Sequence, residues 1–86
     1  MPEICRFYGI IISMYWTDHA PPHFHARYGE YEGQFLIENF ALYKGSMPSK
    51  AMGLVIEWAS QHKEELLENW EKSQLIQPFK KIEPLN

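Results

Sequence analysis

Cysteine, long aliphatic runs and positive charge are all scarce in this chain, and each scarcity excludes a class of protein. Cys5 is the only cysteine, so no internal disulfide can form and a reducing compartment is expected. Aliphatic runs such as Ile10–Ile12 are far too short to span a bilayer. Glu3 and Arg6 interrupt the first residues, which is not typical of a signal peptide. Together these features predict a cytoplasmic protein with no membrane association.

Basic residues are in the minority, with eight Lys and Arg against eleven Asp and Glu and a net charge of −3. Non-specific binding of nucleic acid needs a basic surface, so direct contact with nucleic acid is not expected. Aromatic residues, in contrast, make up 15% of the 86 residues. Large rings bury much area each, so they allow a chain of this length to build one small core.

The first half of the chain is predicted to form four or five β-strands, because its segments are β-branched, aromatic or alternating in polarity. The predicted strands are Ile4–Phe7, Ile10–Trp16, His23–Tyr28, Tyr31–Ile37 and Phe40–Tyr43.

A two-residue turn at Gly29 and Glu30 predicts the register of the two central strands. Arg27 then lies across from Glu32, and His25 lies across from Gln34. A slip of one residue would pair polar residues with apolar ones. His23, His25, Arg27, Glu32 and Gln34 are therefore predicted to share a polar face, which is expected to be exposed to solvent or covered by another chain.

The second half of the chain is predicted to be helical over residues 48–73, as one long helix or two short ones. Pro48 suits a first helical turn, and an apolar stripe recurs every three or four residues. The stripe consists of Ala51, Val55, Trp58, Ala59, His62, Leu66 and Trp70. We favour one helix, since neither glycine nor proline interrupts Ser60–Glu65.

Strands followed by helices predict an α+β fold of two layers, with an antiparallel sheet packed on the helical half. We expect a single domain over residues 1–86, with the sheet in residues 4–44. The tail, residues 77–86, contains Pro78 and Pro84. It is expected to be extended and to dock on its own domain or on a neighbour.

The segment Asp18–His25 is the richest in chemistry, since it holds three of the four histidines around a proline pair. His23 and His25, two apart on a strand, point to one side, so one metal ion can reach both. His19 is the candidate third ligand, and Asp18 is a carboxylate ligand or an orienting partner. A weakly held divalent metal, zinc or nickel, is one interpretation of this set. The favoured interpretation is a structural proline turn whose imidazoles bond to backbone carbonyls and stack on neighbouring rings.

Acid–base catalysis is the second chemistry that this segment allows. His25 is the candidate acid or base, Asp18 its partner, and Arg27 a cation for a phosphate. An RNA-directed toxin or a metal-dependent hydrolase fits that set. However, no nucleophile or second carboxylate is visibly paired with the histidines, so a binding module is favoured over an enzyme.

Other polar and aromatic residues are candidates for contact with a partner or for plain structural roles. The candidate partner contacts are Trp16, Arg27, Glu32, Gln34, Lys80 and Lys81. His62 lies on the helical stripe and is expected to be a hydrogen-bonded boundary histidine. Cys5 has no activating neighbour in sequence and is expected to be a buried, inert thiol.

Five segments together resemble the bacterial domain of unknown function 4160 family, in the same order and over nearly the whole chain. They are Arg6–Ile10, Asp18–Ala26, Glu57–Ala59, Asn69–Trp70 and Lys80–Leu85. The resemblance implies a small protein of a two-gene module, next to a protein of the domain of unknown function 2442 type, in a layout like that of toxin–antitoxin pairs. That neighbour is the expected partner, and a homo-oligomer is also open. The resemblance implies no catalytic residues.

Overall fold

The computed structural model describes residues 2–86, which form an antiparallel sheet of five strands and two helices. Each strand pairs with the next one along the chain. This confirms the predicted α+β fold. The elements are β1 (Glu3–Phe7), β2 (Ile10–Ser13), β3 (His23–Tyr28), β4 (Tyr31–Leu36), β5 (Leu42–Gly45), α1 (Ser49–Gln61) and α2 (Lys63–Gln74).

The central hairpin has the predicted register. Arg27 lies across from Glu32, and His25 lies across from Gln34. Gly29 in the turn has a φ of +59°, a conformation that glycine adopts without steric cost. Side chains alternate between the two faces of a strand. The register therefore places His23 and His25 on the face opposite to the packed aromatic residues of the core.

Two strands are displaced from their predicted bounds. β2 ends at Ser13 and not at Trp16, because the chain leaves the sheet there to meet α2, where the N–H of Thr17 donates to the carbonyl of Ser73. β5 begins at Leu42 and not at Phe40, since Phe40 lies in a turn with a φ of +61°.

The favoured single helix was wrong, since the helical half breaks at His62. The N–H of His62 donates to the carbonyl of Ala59, three residues back, whereas an α-helical bond reaches four residues back. The φ of His62, −132°, lies outside the helical range. Its ring packs 5.6 Å from that of Trp58, and its Nδ1 lies 2.6 Å from Glu65 Oε1. Side-chain contacts thus accompany a break that has no glycine or proline. Neither helix described here has the length and apolar character that crossing a membrane demands.

The core lies between the sheet and α1. Trp58 is fully buried, with its ring centroid 5.4 Å from that of Phe7 and 6.0 Å from that of Phe24. Ala51, Val55 and Ala59 complete the buried face of α1.

The tail docks on its own domain, one of the two outcomes expected from the sequence. The fully buried Asn69 donates through Nδ2 to the carbonyl of Lys80 and accepts through Oδ1 from the N–H of Lys80, both at 2.9 Å. Farther along, the N–H of Ile82 donates to the carbonyl of Ile4. The tail therefore joins α2 to the edge strand β1.

Candidate functional site

The loop between β2 and β3 carries the candidate site, and α2 holds this loop in place. The Gln74 side chain donates to the backbone carbonyl of Asp18 at 2.9 Å, and the N–H of Thr17 bonds to Ser73. Pro21, which follows a cis peptide bond, and Pro22 then lead into β3. The loop therefore brings Asp18 back to the start of the strand that carries His23 and His25.

One carboxylate oxygen connects both strand histidines. Asp18 Oδ2 lies 2.9 Å from His23 Nε2 and 3.2 Å from His25 Nε2. The other oxygen, Oδ1, accepts a hydrogen bond from the backbone N–H of His19 at 3.1 Å. Within residues 2–86 these three side chains are the one group of metal-type ligands that lie close enough together to hold an ion. We call this group the Asp18–His23–His25 cluster.

His23 is buried, with only 3% of its side chain exposed. The ring lies 5.4 Å from that of Trp70 and 5.2 Å from that of His25. Its Nδ1 lies 2.7 Å from the carbonyl oxygen of Pro21. The expectation that the histidine face is open to solvent or covered by another chain was therefore wrong at His23, because α2 of the same chain brings Trp70 against the ring.

His25 is nearly as enclosed, at 13% exposure. The ring of Tyr15 meets it edge-on, with the centroids 4.6 Å apart. Its Nδ1 is buried and has no hydrogen-bond partner. Only the contact with Asp18 therefore determines which nitrogen of His25 carries the proton.

The histidines keep Asp18 ionised. Burial alone raises the pKa of this carboxyl, but the hydrogen bond from His25, the electrostatic effect of the nearby His23 ring and the N–H of His19 outweigh burial and lower the pKa. The pKa of the neighbouring Tyr15 is raised, mainly by burial and also by the charge of Glu32. A neutral phenol and a carboxylate thus lie beside the two imidazoles.

The structure places the other predicted site residues outside this cluster. His19 is 90% exposed, and its Nδ1 lies 4.0 Å from Asp18 Oδ1. Arg27 is exposed on the same sheet face as His25, across from Glu32. Of the candidate catalytic residues, Asp18 and His25 are therefore in contact, while Arg27 lies farther along the strand.

Several candidate partner contacts hold the tail. Trp16 Nε1 donates to the carbonyl of Gln77 at 2.8 Å, and the indole stacks on Phe79 at 4.7 Å. The Lys81 ammonium donates to the carbonyl of Glu3 at 2.9 Å, and the backbone of Lys80 pairs with Asn69 as described above. Glu32 is exposed, whereas Gln34, across from His25, is half-buried.

Sequence reasoning missed Tyr15 and Trp70 as neighbours of the histidines, and Asn69 as the residue that anchors the tail. Alternation along the predicted strand Ile10–Trp16 puts Tyr15 on the same face as Ser13, which lies across from His25, so the pattern pointed to Tyr15 although β2 itself ends at Ser13. Asn69 had a usable signal: it lies three residues after Leu66 and four before Ser73, on the buried side of a helix.

Cys5 is the inert thiol that the sequence predicted. It is buried, and burial is the main cause that raises its pKa to about 11. Since the thiolate is the reactive form, Cys5 supplies no nucleophile at neutral pH. The carboxylate and the two imidazoles of the cluster are suited to binding a cation and to sharing protons.

The geometry is that of a small α+β domain with a histidine–aspartate cluster at one end of its sheet. No curated protein and no solved structure matches the chain. The sequence profile described as "Domain of unknown function (DUF4160)" matches residues 9–71, which include every member of the cluster. The chain therefore belongs to the DUF4160 family.

Proposed function

We propose that this domain is a protein-interaction module of a two-gene system resembling toxin–antitoxin pairs. Its partner is the small protein encoded beside it, of the domain of unknown function 2442 type. The contact surface is an apolar patch, defined as Trp16, Leu75 and Ile76, at the end of α2. The proposal takes the partner from the family resemblance and the surface from the following observations.

The apolar patch contains the two most exposed large hydrophobic residues within residues 2–86, Ile76 and Leu75. Leu75 is 67% exposed, Ile76 is 70% exposed and Trp16 is 42% exposed. The indole of Trp16 donates to the carbonyl of Gln77, directly after Ile76, so Trp16 lies next to the segment that carries Leu75 and Ile76. Neighbouring exposed apolar residues are typical of protein contact sites.

The backbone of Ile76 is the observation that carries the proposal. α2 ends with Leu75 as its C-cap, and the N–H of Gln77 donates back to the carbonyl of Lys72 at 2.9 Å. This is the Schellman pattern, in which the residue after the C-cap is usually glycine. Here Ile76 occupies that position with a φ of +55°, at a cost of about 1–2 kcal/mol for an L-residue.

Burial of the Ile76 side chain in its own domain recovers little of this cost, because the residue is 70% exposed. Strained backbone at an exposed position indicates a functional constraint. Contact of the isoleucine with a partner protein provides such a constraint, since burial of an aliphatic side chain contributes about 1.5–3 kcal/mol.

Binding to the neighbouring gene product tests the proposal directly. Ile76→Gly removes the side chain and keeps a residue that favours the observed backbone, so the fold should persist while affinity falls at least about tenfold. Ile56→Ala is the matched control, because Ile56 is an exposed isoleucine on α1 and its truncation should leave affinity unchanged. Equal affinity of Ile76→Gly and wild type, by titration calorimetry, would overturn the proposed surface.

A second candidate function, a small enzyme, is favoured by the contact between Asp18 and His25. A carboxylate that orients an imidazole is a common arrangement for acid–base catalysis. Expression of the chain alone distinguishes the two functions. Growth arrest that the combined replacement of His19, His23 and His25 abolishes would support a toxin, whereas tight binding to the neighbour without growth arrest supports the interaction module.

A further inference from the structure

The two nitrogens of the His23 ring both face oxygen acceptors. Nδ1 lies 2.7 Å from the carbonyl of Pro21, and Nε2 lies 2.9 Å from Asp18 Oδ2. A neutral imidazole carries a single N–H, so it can satisfy only one of these contacts. The other contact requires a second proton or a metal cation beside Nε2.

The carbonyl of Pro21 decides which nitrogen is available. A metal-bound histidine generally donates its other N–H to a carbonyl or carboxylate, which fixes the tautomer and the orientation of the ring. With the proton of His23 held on Nδ1 by Pro21, the lone pair of Nε2 points to the side where Asp18 lies. The buried ring has no room in which to turn away, since Trp70 and His25 lie against it.

We propose that the Asp18–His23–His25 cluster is a zinc site and that His19 supplies the fourth ligand. Ligand atoms of tetrahedral zinc lie about 2.0–2.2 Å from the metal, which places them about 3.4 Å from one another. The contacts of Asp18 Oδ2 with the two Nε2 atoms are 2.9 and 3.2 Å. These two contacts therefore need to lengthen by only about half an ångström or less, and all three ligand atoms already lie within 4.8 Å of one another.

The identity of the metal follows from the donor atoms. Imidazole nitrogens with one carboxylate suit zinc and its neighbours among the transition metals, whereas magnesium and calcium take oxygen ligands. Binding of a metal through His25 Nε2 places the ring proton on Nδ1, which has no acceptor, so the bond of His23 to Pro21 is the stronger support for the site.

His19 is placed to close the site. Its backbone N–H already bonds Asp18, and its exposed imidazole is free to turn, with Nδ1 4.0 Å from Asp18 Oδ1. Four protein ligands leave no open coordination position, which is typical of structural and not catalytic zinc. The ion would tie the β2–β3 loop to β3, a role separate from the apolar patch at the end of α2.

Zinc titration of the untagged, chelator-stripped protein tests this site. We expect one zinc per chain by calorimetry. A rise in melting temperature of about 10 °C or more is expected with free zinc at a hundred times its Kd. Asp18→Asn preserves the shape of the side chain and removes its charge. Loss of a residue that only orients a ligand weakens metal binding about 10–100-fold, and loss of the Asp18 carboxylate should weaken zinc binding by more than that. His19→Ala should also weaken zinc binding, but by less than Asp18→Asn, because water can take the exposed fourth position.

His62→Gln is the matched control, because His62 also contacts a carboxylate, that of Glu65, but lies outside the cluster. Its zinc affinity should equal that of wild type. Imidazole nitrogen NMR of the wild type gives an answer even if a variant fails to fold. Zinc should shift the Nε2 signals of His23 and His25 and leave those of His62 in place. Unchanged Nε2 signals, or equal affinity of folded Asp18→Asn and wild type, would overturn the zinc site.

Discussion

The two helices are nearly equal in length, 13 and 12 residues, yet they are buried by different chemistry. The buried residues of α1 are all apolar. Those of α2 are Leu66, Asn69 and Ser73, two of them polar. α1 therefore packs mainly through hydrophobic contact with the sheet, with one hydrogen bond from Trp58 Nε1 to the carbonyl of Glu83 in the tail. α2 is fixed by several hydrogen bonds, to the tail and to the β2–β3 loop.

α1 therefore provides most of the hydrophobic core, whereas α2 positions the candidate site. Hydrophobic packing tolerates small adjustments of position, while a hydrogen bond fixes a distance and a direction. Thr17 and Asp18 are both bonded to the end of α2, as described above. The polar helix thus sets where the carboxylate of the candidate zinc site lies relative to the strand histidines.

The largest expected effect is at the centre of the α1 packing. Trp58→Ala should lower the free energy of unfolding by about 3–5 kcal/mol, since the ring is fully buried. Trp70→Ala should cost clearly less, because Trp70 is only partly buried against His23. Urea unfolding of both variants checks this order. Equal losses would show that α2 depends on aromatic packing as much as α1 does.

The second-largest loss of stability is expected at Asn69, whose side chain hydrogen-bonds α2 to the tail. Asn69→Leu fills a similar volume but leaves the N–H and carbonyl of Lys80 without their partners, so we expect a loss of about 2–3 kcal/mol. The tail should also become more sensitive to proteolysis. Asn69→Asp retains one acceptor for the N–H of Lys80 and tests how much the acceptor contributes. If Asn69→Leu is as stable as wild type, the hydrogen bonds of α2 do not hold it in place, and the contrast between the two helices is wrong.

A gain in stability is expected at the end of α2. Ile76→Gly removes the steric cost of the left-handed backbone at this position. This gain exceeds the loss caused by the added entropy of glycine in the unfolded chain, so the free energy of unfolding should rise by about 1 kcal/mol. Ile76→Asn should gain less, and Ile76→Val should gain nothing because it keeps the β-branch. Thermal melting of the three variants measures this series. A destabilised Ile76→Gly would mean that the isoleucine side chain packs within its own domain.

The smallest effect at neutral pH is at Cys5, in the packing beneath α1, because it appears only in alkaline solution. The raised pKa of Cys5, about 11, exceeds that of a thiol in the unfolded chain, about 8.5. The neutral thiol therefore contributes stability fully below about pH 8.5, and this contribution is lost as the pH rises towards 11. Cys5→Val should flatten the decline in stability between pH 8.5 and 11. The native thiol should also react slowly with a disulfide reagent at pH 8.

Local patterns explain how much of this structure could be predicted. The central hairpin was predictable residue by residue, because the turn at Gly29 and the alternation of side chains leave one register that matches Arg27 with Glu32. The pairing of His23 and His25 on one face followed from the same register. The helix break at His62 was not predictable in this way, since it is accompanied by contacts with Trp58 and Glu65 and no breaking residue is present.

The sequence by itself determined the order of the elements, the polarity of the central strands and the segment in which the chemistry lies. These properties depend on neighbours along the chain. Tertiary structure decided that Asp18, and not His19, contacts the strand histidines, that Trp70 covers His23, and that Asn69 holds the tail. The physical reason is that each of these contacts joins segments whose relative position is fixed only when α2 turns at His62 and bonds to the loop.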